Sequence, residues 1–449
     1  MADTALNWLS ATEARRLIED GAISAEQLVD ACLARVREVE DTVQAWQYLD
    51  PEYARRQARA RDQDRREGRP SGPLHGIPVG LKDIIDTADM PTEDGTVLHA
   101  GRTPVADAAV TERLRAAGAV ILGKTVTTEC AYYAPGKTRN PHNPEHTPGG
   151  SSSGSAAAVA AGMVPLALGT QTNGSVIRPA AFCGVYGFKP THGLIPRHGI
   201  LRLSRTLDTV GVFARSIDEI AAACEVLVGG DERDPDTRPR ARIPFRDVAA
   251  QEPPLPPLLA FVKTPLWERA DEDTRAAFAE LVDALGERVV EVPLPESALD
   301  ALEQHRTIME AEMAASLAAE YDRGRDKLSE VLRALLERGR KVTAFDYQSA
   351  LARIPLLNQG FEPLFERCDA IITPAAPGTA PRGLEATGDP SFCTLWTLTG
   401  MPALSAPLLT GANGMPLGVQ VVGRRNDDAR LLRTARWLAA RVAAEAQEG

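Results

Sequence analysis

The chain has 449 residues, of which 44% are hydrophobic and 25% are charged. These shares are usual for globular proteins and exclude collagen-like, coiled-coil and intrinsically disordered chains. The net charge of −11, without a basic block, argues against a nucleic-acid binder, because such proteins need a basic surface that replaces the counterions of the phosphates. The six cysteines include no C-x-x-C pair, which predicts free, buried thiols instead of a zinc site or a disulfide scaffold.

The N-terminal residues 1–69 are predicted to form a helical layer. Ser10 with Glu13, and Ser24 with Gln27, have the spacing of capping boxes that begin helices. The first ten residues lack the basic and apolar stretches of a secretory signal, so we expect a cytoplasmic protein. The longest weakly polar run, residues 156–169, is shorter than the about 20 apolar residues that a membrane span needs. No membrane contact is therefore expected.

The whole chain, residues 1–449, is predicted to form a single α/β domain. In residues 70–229, short apolar runs alternate with loops rich in Gly, Pro and Ser, as in strands that open into loops. Ser155 is predicted to cap a helix from Ala156 to about Gly162. Residues 230–367 are predicted to be mainly helical. Residues 368–449 return to strand-like runs that complete the core.

Two short strings match well-known motifs without the context that those motifs need. GAVILGKT (118–125) fits the Walker loop, yet its apolar residues are typical of a buried strand and not of a phosphate cradle. GSSSG (150–154) fits the nucleophile elbow around Ser152, but no strand leads into it. None of the seven histidines has metal-ligand spacing, and no serine lies three residues before a lysine, which excludes a penicillin-binding type of site. A Ser-His-Asp triad stays open, because its members are joined only in space.

Longer motifs carry a resemblance to a known family. GIPVGLKD (76–83), PGGSSSGS (148–155) and GSVIRPAAFCG (174–184), the last followed by GFKPT (187–191), resemble the amidase signature family. The resemblance is dense from Leu74 to Arg215 and resumes in residues 369–374 and 399–423. Several long motifs in the same order are far more specific than one short string.

The resemblance implies an α/β/α sandwich, with a central twisted mixed sheet covered by helices, and a Ser–Ser–Lys triad. The resemblance implies that Ser175 is the nucleophile. It implies further that Ser151 is a bridging serine next to a cis peptide bond and that Lys82 is the general base. An alcohol needs such a base, and burial lowers the pKa of a lysine so that it can be neutral. The family's oxyanion hole corresponds to four backbone N–H groups here, those of Thr172, Asn173, Gly174 and Ser175.

The chemistry that the resemblance implies needs no cofactor and no metal ion. Arg178 and Asp83 are similar to residues with ion-pairing or hydrogen-bonding roles in the structure of the family. The chain departs from the family at QTNGS (171–175), where an acidic residue usually stands in the position of Gln171. Asparagine tolerates a positive φ, so the loop is predicted to keep its shape at Asn173. Gln171 can form hydrogen bonds but offers no negative charge.

The segments that form the family's acyl pocket supply aromatic and apolar residues in this chain. Because apolar walls disfavour an unpaired charge, we expect cleavage of neutral small carboxamides, anilides or carbamates, and slower cleavage of glutamine and other charged small amides. The expected partner is a small-molecule amide or carbamate, and a homodimer stays open. The predicted substrate-binding residues are Tyr132, Tyr133, Gly149, Gly150, Gln171, Pro377, Gly378, Leu395 and Trp396.

Two alternatives to a free-standing hydrolase stay open. One is the amidase-like component of a tRNA-dependent amidotransferase, which moves ammonia to a tRNA-bound acid within a larger assembly. The altered loop at Gln171 and the acidic composition count against this alternative. The other is a non-catalytic binding relative, which is disfavoured because all three positions of the triad are filled.

Overall fold

The computed structural model describes residues 5–69 and 72–448. The described chain forms fifteen α-helices and eleven β-strands. The helices are α1 (Ala11–Glu19), α2 (Ala25–Val43), α3 (Pro51–Arg66), α4 (Ala109–Ala116), α5 (Ser153–Ala160), α6 (Ile177–Cys183), α7 (Ile217–Leu227), α8 (Phe245–Ala250), α9 (Glu272–Leu285), α10 (Ala301–Ser316), α11 (Ala318–Gly324), α12 (Glu330–Gly339), α13 (Ala344–Phe365), α14 (Ser391–Leu398) and α15 (Asp428–Glu448). The strands are β1 (Trp46–Leu49), β2 (Pro78–Lys82), β3 (Val120–Thr125), β4 (Leu166–Gln171), β5 (Tyr186–Lys189), β6 (Thr209–Ala214), β7 (Leu259–Phe261), β8 (Val289–Glu291), β9 (Ala370–Pro374), β10 (Ala403–Thr410) and β11 (Pro416–Val422).

All these strands belong to one sheet, in the order β1-β3-β2-β4-β6-β5-β10-β11-β9-β7-β8. Strand β2 is parallel to β3 and β4, whereas β4 is antiparallel to β6. Helices α5 and α6 contact β4, β5, β10 and β11, and helices α7 and α15 contact β6 and β10. The predicted α/β architecture, a mixed sheet covered by helices, is confirmed.

The first helices begin where the capping pattern predicts. Ser10 accepts a hydrogen bond from the N–H of Glu13, and Ser24 forms a complete reciprocal capping box with Gln27. The helix predicted from residue 156 begins earlier, at Ser153. Ser155, the predicted cap residue of that helix, lies inside it. Its hydroxyl donates to the carbonyl of Leu168 in β4 at 2.9 Å.

Two segments predicted as helical also contribute strands. Strand β1, within the predicted N-terminal helical layer, pairs antiparallel with β3 and forms one edge of the sheet. Strands β7 and β8, within residues 230–367, pair in parallel and form the other edge. All four predicted parts of the chain therefore supply strands to the same sheet.

The string that matches the Walker loop lies within the sheet. The string ends in β3, which is buried throughout and lies between β1 and β2, so it forms no phosphate loop. All six cysteines are buried and unbonded to one another, as predicted.

Within residues 5–69 and 72–448, no helix combines the length and the apolar character required to cross a membrane.

A glycine allows α5 to approach the end of β3 closely. A Cβ atom at Gly154 would lie 2.3 Å from the carbonyl oxygen of Ala45 and 2.4 Å from the nitrogen of Val126. A side chain at this position would therefore push α5 away from the sheet. The close contact fixes the segment just before α5, which carries Ser151.

Candidate active site

The predicted triad lies where two parallel strands end. Lys82 is the last residue of β2, and Gln171 is the last residue of its parallel neighbour β4. The carboxyl ends of parallel strands meet at one edge of a sheet, where α/β proteins commonly bind ligands. Ser151 stands just before α5 and Ser175 just before α6, two helices that contact each other. The fold thus gathers these segments at one edge.

Lys82 is a completely buried lysine that contacts no carboxylate among the described residues. Its Nζ donates hydrogen bonds to Ser151 Oγ at 2.7 Å and to Thr170 Oγ1 at 2.9 Å. Burial lowers the pKa of Lys82 to about 7, and the negative charge of Asp208 opposes part of this lowering. A large fraction of Lys82 is therefore neutral near pH 7 and can accept a proton from Ser151.

The two predicted serines are held differently. Ser151 follows a cis peptide bond from Gly150, and its carbonyl accepts a hydrogen bond from the N–H of Thr128. Ser175 is buried, with 6% of its surface exposed, and its hydroxyl has no hydrogen-bond partner in the described chain. The predicted proton relay therefore has a formed link from Lys82 to Ser151, whereas the link to Ser175 is not a hydrogen bond in this structure.

Ser152, the nucleophile of the elbow alternative, has a hydroxyl that is already engaged. It donates to the carbonyl of Thr170 and accepts from the N–H of the same residue, both at 3.2 Å. Ser152 is also completely buried. Its side chain ties the segment before α5 to β4 and is not presented to a ligand.

Gln171 stands behind the loop that carries Ser175. Its Oε1 accepts hydrogen bonds from the N–H groups of Val176 at 2.8 Å and Ile177 at 3.0 Å, and its Nε2 donates to Thr397 Oγ1 at 2.9 Å. The side chain is completely buried. Its amide is used to close the loop, and a contact of Gln171 with substrate stays a prediction. The amide oxygen can accept these bonds without the negative charge of an acidic residue.

Asn173 fixes the same loop from the other side. Its Nδ2 donates to the hydroxyl of Tyr133 at 2.9 Å, and its Oδ1 accepts from Thr394 Oγ1 at 2.7 Å. Its carbonyl accepts from the hydroxyl of Thr397 at 2.5 Å. The positive φ predicted at Asn173 is not found, since it is absent from the described non-glycine residues with positive φ. Hydrogen bonds from side chains, and not a left-handed backbone, shape this loop.

The loop leaves donors free for a ligand. The backbone N–H groups of Asn173, Gly174 and Ser175 donate to no acceptor in the part of the chain that the structure describes. Free N–H groups around a nucleophile can stabilise the oxyanion of a tetrahedral intermediate. This arrangement supports the predicted oxyanion hole.

Two further residues fix Thr172, and the sequence did not single them out. The hydroxyl of Thr172 donates to Asp208 at 2.6 Å, and its carbonyl accepts a hydrogen bond from His305 Nε2 at 2.9 Å. Burial raises the pKa of Asp208, while Thr172 and two backbone N–H groups lower it in part. A cavity of about 350 Å³ is lined by Thr170, Thr172 and Asp208, and Thr170 is also a hydrogen-bond partner of Lys82.

The two threonines that bond to Asn173 were also missed as contacts of the loop. Thr394 and Thr397 both lie on α14. The sequence offers one signal for these two threonines: their spacing of three residues places both side chains on one face of a helix. That signal does not reveal which loop the face contacts.

The predicted aromatic residues divide between the site and the core. The rings of Tyr132 and Tyr133 are stacked, with centroids 4.3 Å apart, and Tyr133 contacts the loop through Asn173. Trp396 is completely buried and packs against Phe361 at 5.6 Å between centroids. Trp396 and its neighbour Leu395 both pack in the hydrophobic core, and their role as pocket walls stays a prediction.

The glycine and proline residues that are predicted to bind substrate are mostly in contact with other parts of the protein. Gly149 has φ +80°, and a Cβ there would lie 2.9 Å from Pro179, so this position requires glycine. The carbonyl of Pro377 accepts a hydrogen bond from the N–H of Asp271 at 2.8 Å, and a Cβ at Gly378 would overlap the Asp271 carboxylate. Pro377 and Gly378 thus pack against the beginning of α9.

Of the two roles that the resemblance implies for Arg178, ion pairing or hydrogen bonding, the described residues show hydrogen bonding. Its side chain is completely buried, and no carboxylate of the described chain lies within 4.0 Å of it. Its Nη2 donates to the carbonyl of Gly150 at 2.7 Å and to Thr387 Oγ1 at 3.0 Å, whereas Nε and Nη1 have no partner. Burial lowers the pKa of Arg178. Its guanidinium carbon lies 6.0 Å from the ring centroid of Tyr133.

Asp83, in contrast, forms the expected ion pair. Its carboxylate lies 3.9 Å from Nζ of Lys124, and both side chains are buried. Burial raises the pKa of Asp83, and the charge of Lys124 opposes this rise. Asp83 therefore has the structural role that the resemblance implies.

This chain is similar to known proteins over most of its length. The profile of the amidase family matches residues 27–432. The A subunit of the glutamyl-tRNA(Gln) amidotransferase of Chloroflexus aurantiacus is 36% identical to this chain, over 96% of both chains.

Two solved structures of other proteins are also similar to this chain in fold and in sequence. The peptide amidase of Stenotrophomonas maltophilia has a TM-score of 0.86 and 29% identity, over 98% of this chain and 97% of its own. A chain from a vestigial protein complex, described in connection with the origins of an s-triazine catabolic enzyme, has a TM-score of 0.90 and 28% identity, over 96% of this chain and 98% of its own. The chain therefore belongs to the amidase signature family of hydrolases.

Proposed function

We propose that this chain is an amidohydrolase that cleaves the C–N bond of small linear carboxamides, anilides or carbamates through an acyl-enzyme on Ser175. The observation that carries the proposal is the buried Lys82, whose Nζ donates to Ser151 Oγ at 2.7 Å and whose pKa is lowered by burial to about 7. A base that is neutral near pH 7 can activate an alcohol for attack on a carbonyl.

The acylation and deacylation steps use the same groups. Ser175 Oγ attacks the substrate carbonyl while its proton moves through Ser151 to Lys82. The N–H groups of the loop stabilise the oxyanion, and the C–N bond breaks as the leaving amine takes the proton back through Ser151. Water then attacks the resulting ester, and the acid is released. A carbamate carbonyl passes through the same kind of tetrahedral oxyanion, so the same groups serve it.

The surroundings of the site change the expected acyl group from neutral to anionic. The aliphatic and indole walls predicted for a neutral group lie in the core, whereas the Arg178 guanidinium lies beside Tyr133 and Gly150 without a carboxylate. A buried charge is costly unless an opposite charge compensates it. We therefore propose that the acyl group carries a carboxylate, as in the monoamide or monoanilide of a dicarboxylic acid.

The acyl preference can be measured with two anilides of similar size. We expect kcat/KM for succinic monoanilide to exceed that for butyranilide by at least about tenfold, since a charged hydrogen-bonded pair contributes about 1.5–3 kcal/mol. Arg178→Met should abolish this preference, and Arg178→Lys should retain part of it. A wild-type preference for butyranilide would restore the neutral acyl group and exclude this role for Arg178.

The nucleophile can be identified by covalent labelling. A fluorophosphonate should add once, to Ser175, and Ser175→Ala should abolish both labelling and turnover. Ser152→Ala is the matched control, because Ser152 is a buried serine of the neighbouring segment before α5, and its loss should leave the labelling of Ser175 intact. An adduct on Ser152, or no adduct on any serine, would contradict the proposed acyl-enzyme.

A second candidate function is that of the amidase component of an amidotransferase. It is favoured by the 36% identity to the Chloroflexus aurantiacus protein over 96% of both chains. In that case the chain should copurify with partner proteins and support amidation of glutamyl-tRNA only in their presence. Amide hydrolysis at full rate by the purified chain alone would favour the free-standing hydrolase.

A further inference from the structure

One residue of the middle segment, His305, reaches the loop that carries Ser175. It lies on α10, is buried with 1% of its surface exposed, and its Nε2 stands 2.9 Å from the carbonyl oxygen of Thr172. A carbonyl oxygen only accepts hydrogen bonds, so Nε2 must carry the hydrogen. Burial lowers the pKa of His305 to about 4, which keeps the ring neutral near pH 7. His305 is therefore a neutral donor with a defined tautomer.

The contact fixes the direction of a backbone N–H group. A trans peptide unit is planar, so its C=O and N–H point in opposite directions. A hydrogen bond to the carbonyl of Thr172 therefore sets the direction of the N–H of Asn173. The Thr397 hydroxyl does the same for the next peptide unit, because it donates to the carbonyl of Asn173 and so orients the N–H of Gly174.

We propose that His305 is a positioning residue that aims the Asn173 N–H at the oxyanion. The inference rests on the proposed function, since it concerns the transition state of that reaction. His305 touches neither serine nor Lys82 among the described contacts, and it acts through the backbone of Thr172. The middle segment thus contributes a buried contact to the chemistry as well as surface for specificity.

The test compares two variants with a matched control. His305→Leu removes the donor and keeps an apolar side chain, whereas His305→Gln keeps an N–H donor at a similar distance from the backbone. His75 is the control, because it is also buried, at 3% exposure, and its Nε2 bonds to a backbone carbonyl, that of Arg61, at 2.9 Å. His75→Leu therefore removes the same kind of bond in a different part of the chain.

We expect His305→Leu to lower kcat about 10- to 100-fold with KM within about threefold, because removal of one oxyanion donor costs about 10²–10³-fold and misalignment costs less. The rate of fluorophosphonate labelling should fall in parallel, and His305→Gln should recover most of both rates. His75→Leu should lower Tm without changing kcat. Should His305→Leu fail to fold, Thr397→Val tests the same principle at the next peptide unit.

Two outcomes would overturn the inference. One is a wild-type kcat and labelling rate in His305→Leu, or in Thr397→Val if that variant replaces it. The other is a His305→Gln enzyme as slow as His305→Leu. If wild-type Ser175 is not labelled at all, the proposed function itself fails, so the two failures are distinguishable.

Discussion

Two neighbouring parallel strands each place a fully buried lysine at or near their ends, and the surroundings of the two lysines differ. Lys82 ends β2, and Lys124 stands one residue before the end of β3. Lys82 donates to two hydroxyl groups. Lys124 donates to a backbone carbonyl and to Thr92 Oγ1 at 2.6 Å, and the carboxylate of Asp83 lies 3.9 Å away.

This difference separates a base from a structural cation. Burial lowers the pKa of both lysines, but the charge of Asp83 favours the ammonium form of Lys124. Within residues 5–69 and 72–448, Lys82 has no carboxylate at ion-pair distance, so nothing described in contact with it holds the proton strongly. Burial is common to both lysines, so the groups around each Nζ separate the base from the structural cation.

The largest expected effect is on the activity of the Lys82 variant. Lys82→Met should lower kcat/KM about 10³-fold, because general base catalysis contributes about 10²–10⁴-fold. Its Tm should be no lower than that of the wild type, since a buried ionisable group is replaced by an apolar one. Steady-state kinetics and thermal unfolding measure the two effects. A loss of activity that merely follows a fall in Tm would contradict the assignment of Lys82 as the base.

The same substitution at the other lysine should act on stability instead. Lys124→Met should lower the free energy of unfolding by about 3 kcal/mol, because it leaves the buried carboxylate of Asp83 without its partner. The folded fraction should retain kcat/KM within about threefold. Urea unfolding and active-site titration measure these quantities. Asp83→Asn in the same chain should restore part of the stability, and no restoration would show that the pair is not coupled.

The activity should depend on pH through Lys82. Because the neutral lysine is the active form, kcat/KM should rise as pH increases through about 7 and level off above it. Below the pKa the rate should fall about tenfold per pH unit, as expected for one essential proton. A profile of kcat/KM from pH 5 to 9 measures this. Lys82→Arg should be inactive throughout, since guanidinium does not lose its proton in this range.

The smallest expected effect is a shift of that profile. Asp208 raises the pKa of Lys82, so Asp208→Asn should move the midpoint to lower pH while the Asn oxygen still accepts from Thr172. Asp234→Asn is the control, because Asp234 lines the same cavity but is paired with Arg197 at 3.1 Å. An unmoved midpoint in Asp208→Asn would show that its charge does not reach Lys82.

The sequence predicted what long motifs encode. The family, the mixed sheet and the gathering of Lys82 and Ser151, which are 69 residues apart, followed from the family resemblance that residues 76–83 and 148–155 carry. It could not predict Asp208 or His305, since a single carboxylate or imidazole becomes a partner only when the fold brings it to Thr172. These two residues lie 36 and 133 residues away along the chain.

The departures from the sequence-based expectations have equally physical causes. Trp396 was assigned to the pocket from its neighbourhood, but an aromatic residue serves a core and a pocket wall equally well. The short strands β1, β7 and β8 have three or four residues each, too few to show an alternating pattern within helical segments.

The hydroxyl of Thr397 that orients the loop comes from a residue 224 positions after Asn173. At about 5–20 residues per second, a ribosome needs on the order of ten seconds or more to synthesise the chain between them. A nascent chain that ends before α14 already contains the lysine and both serines, yet its loop lacks the groups that aim the oxyanion donors. We therefore expect no amide hydrolysis during translation until α14 has left the ribosome.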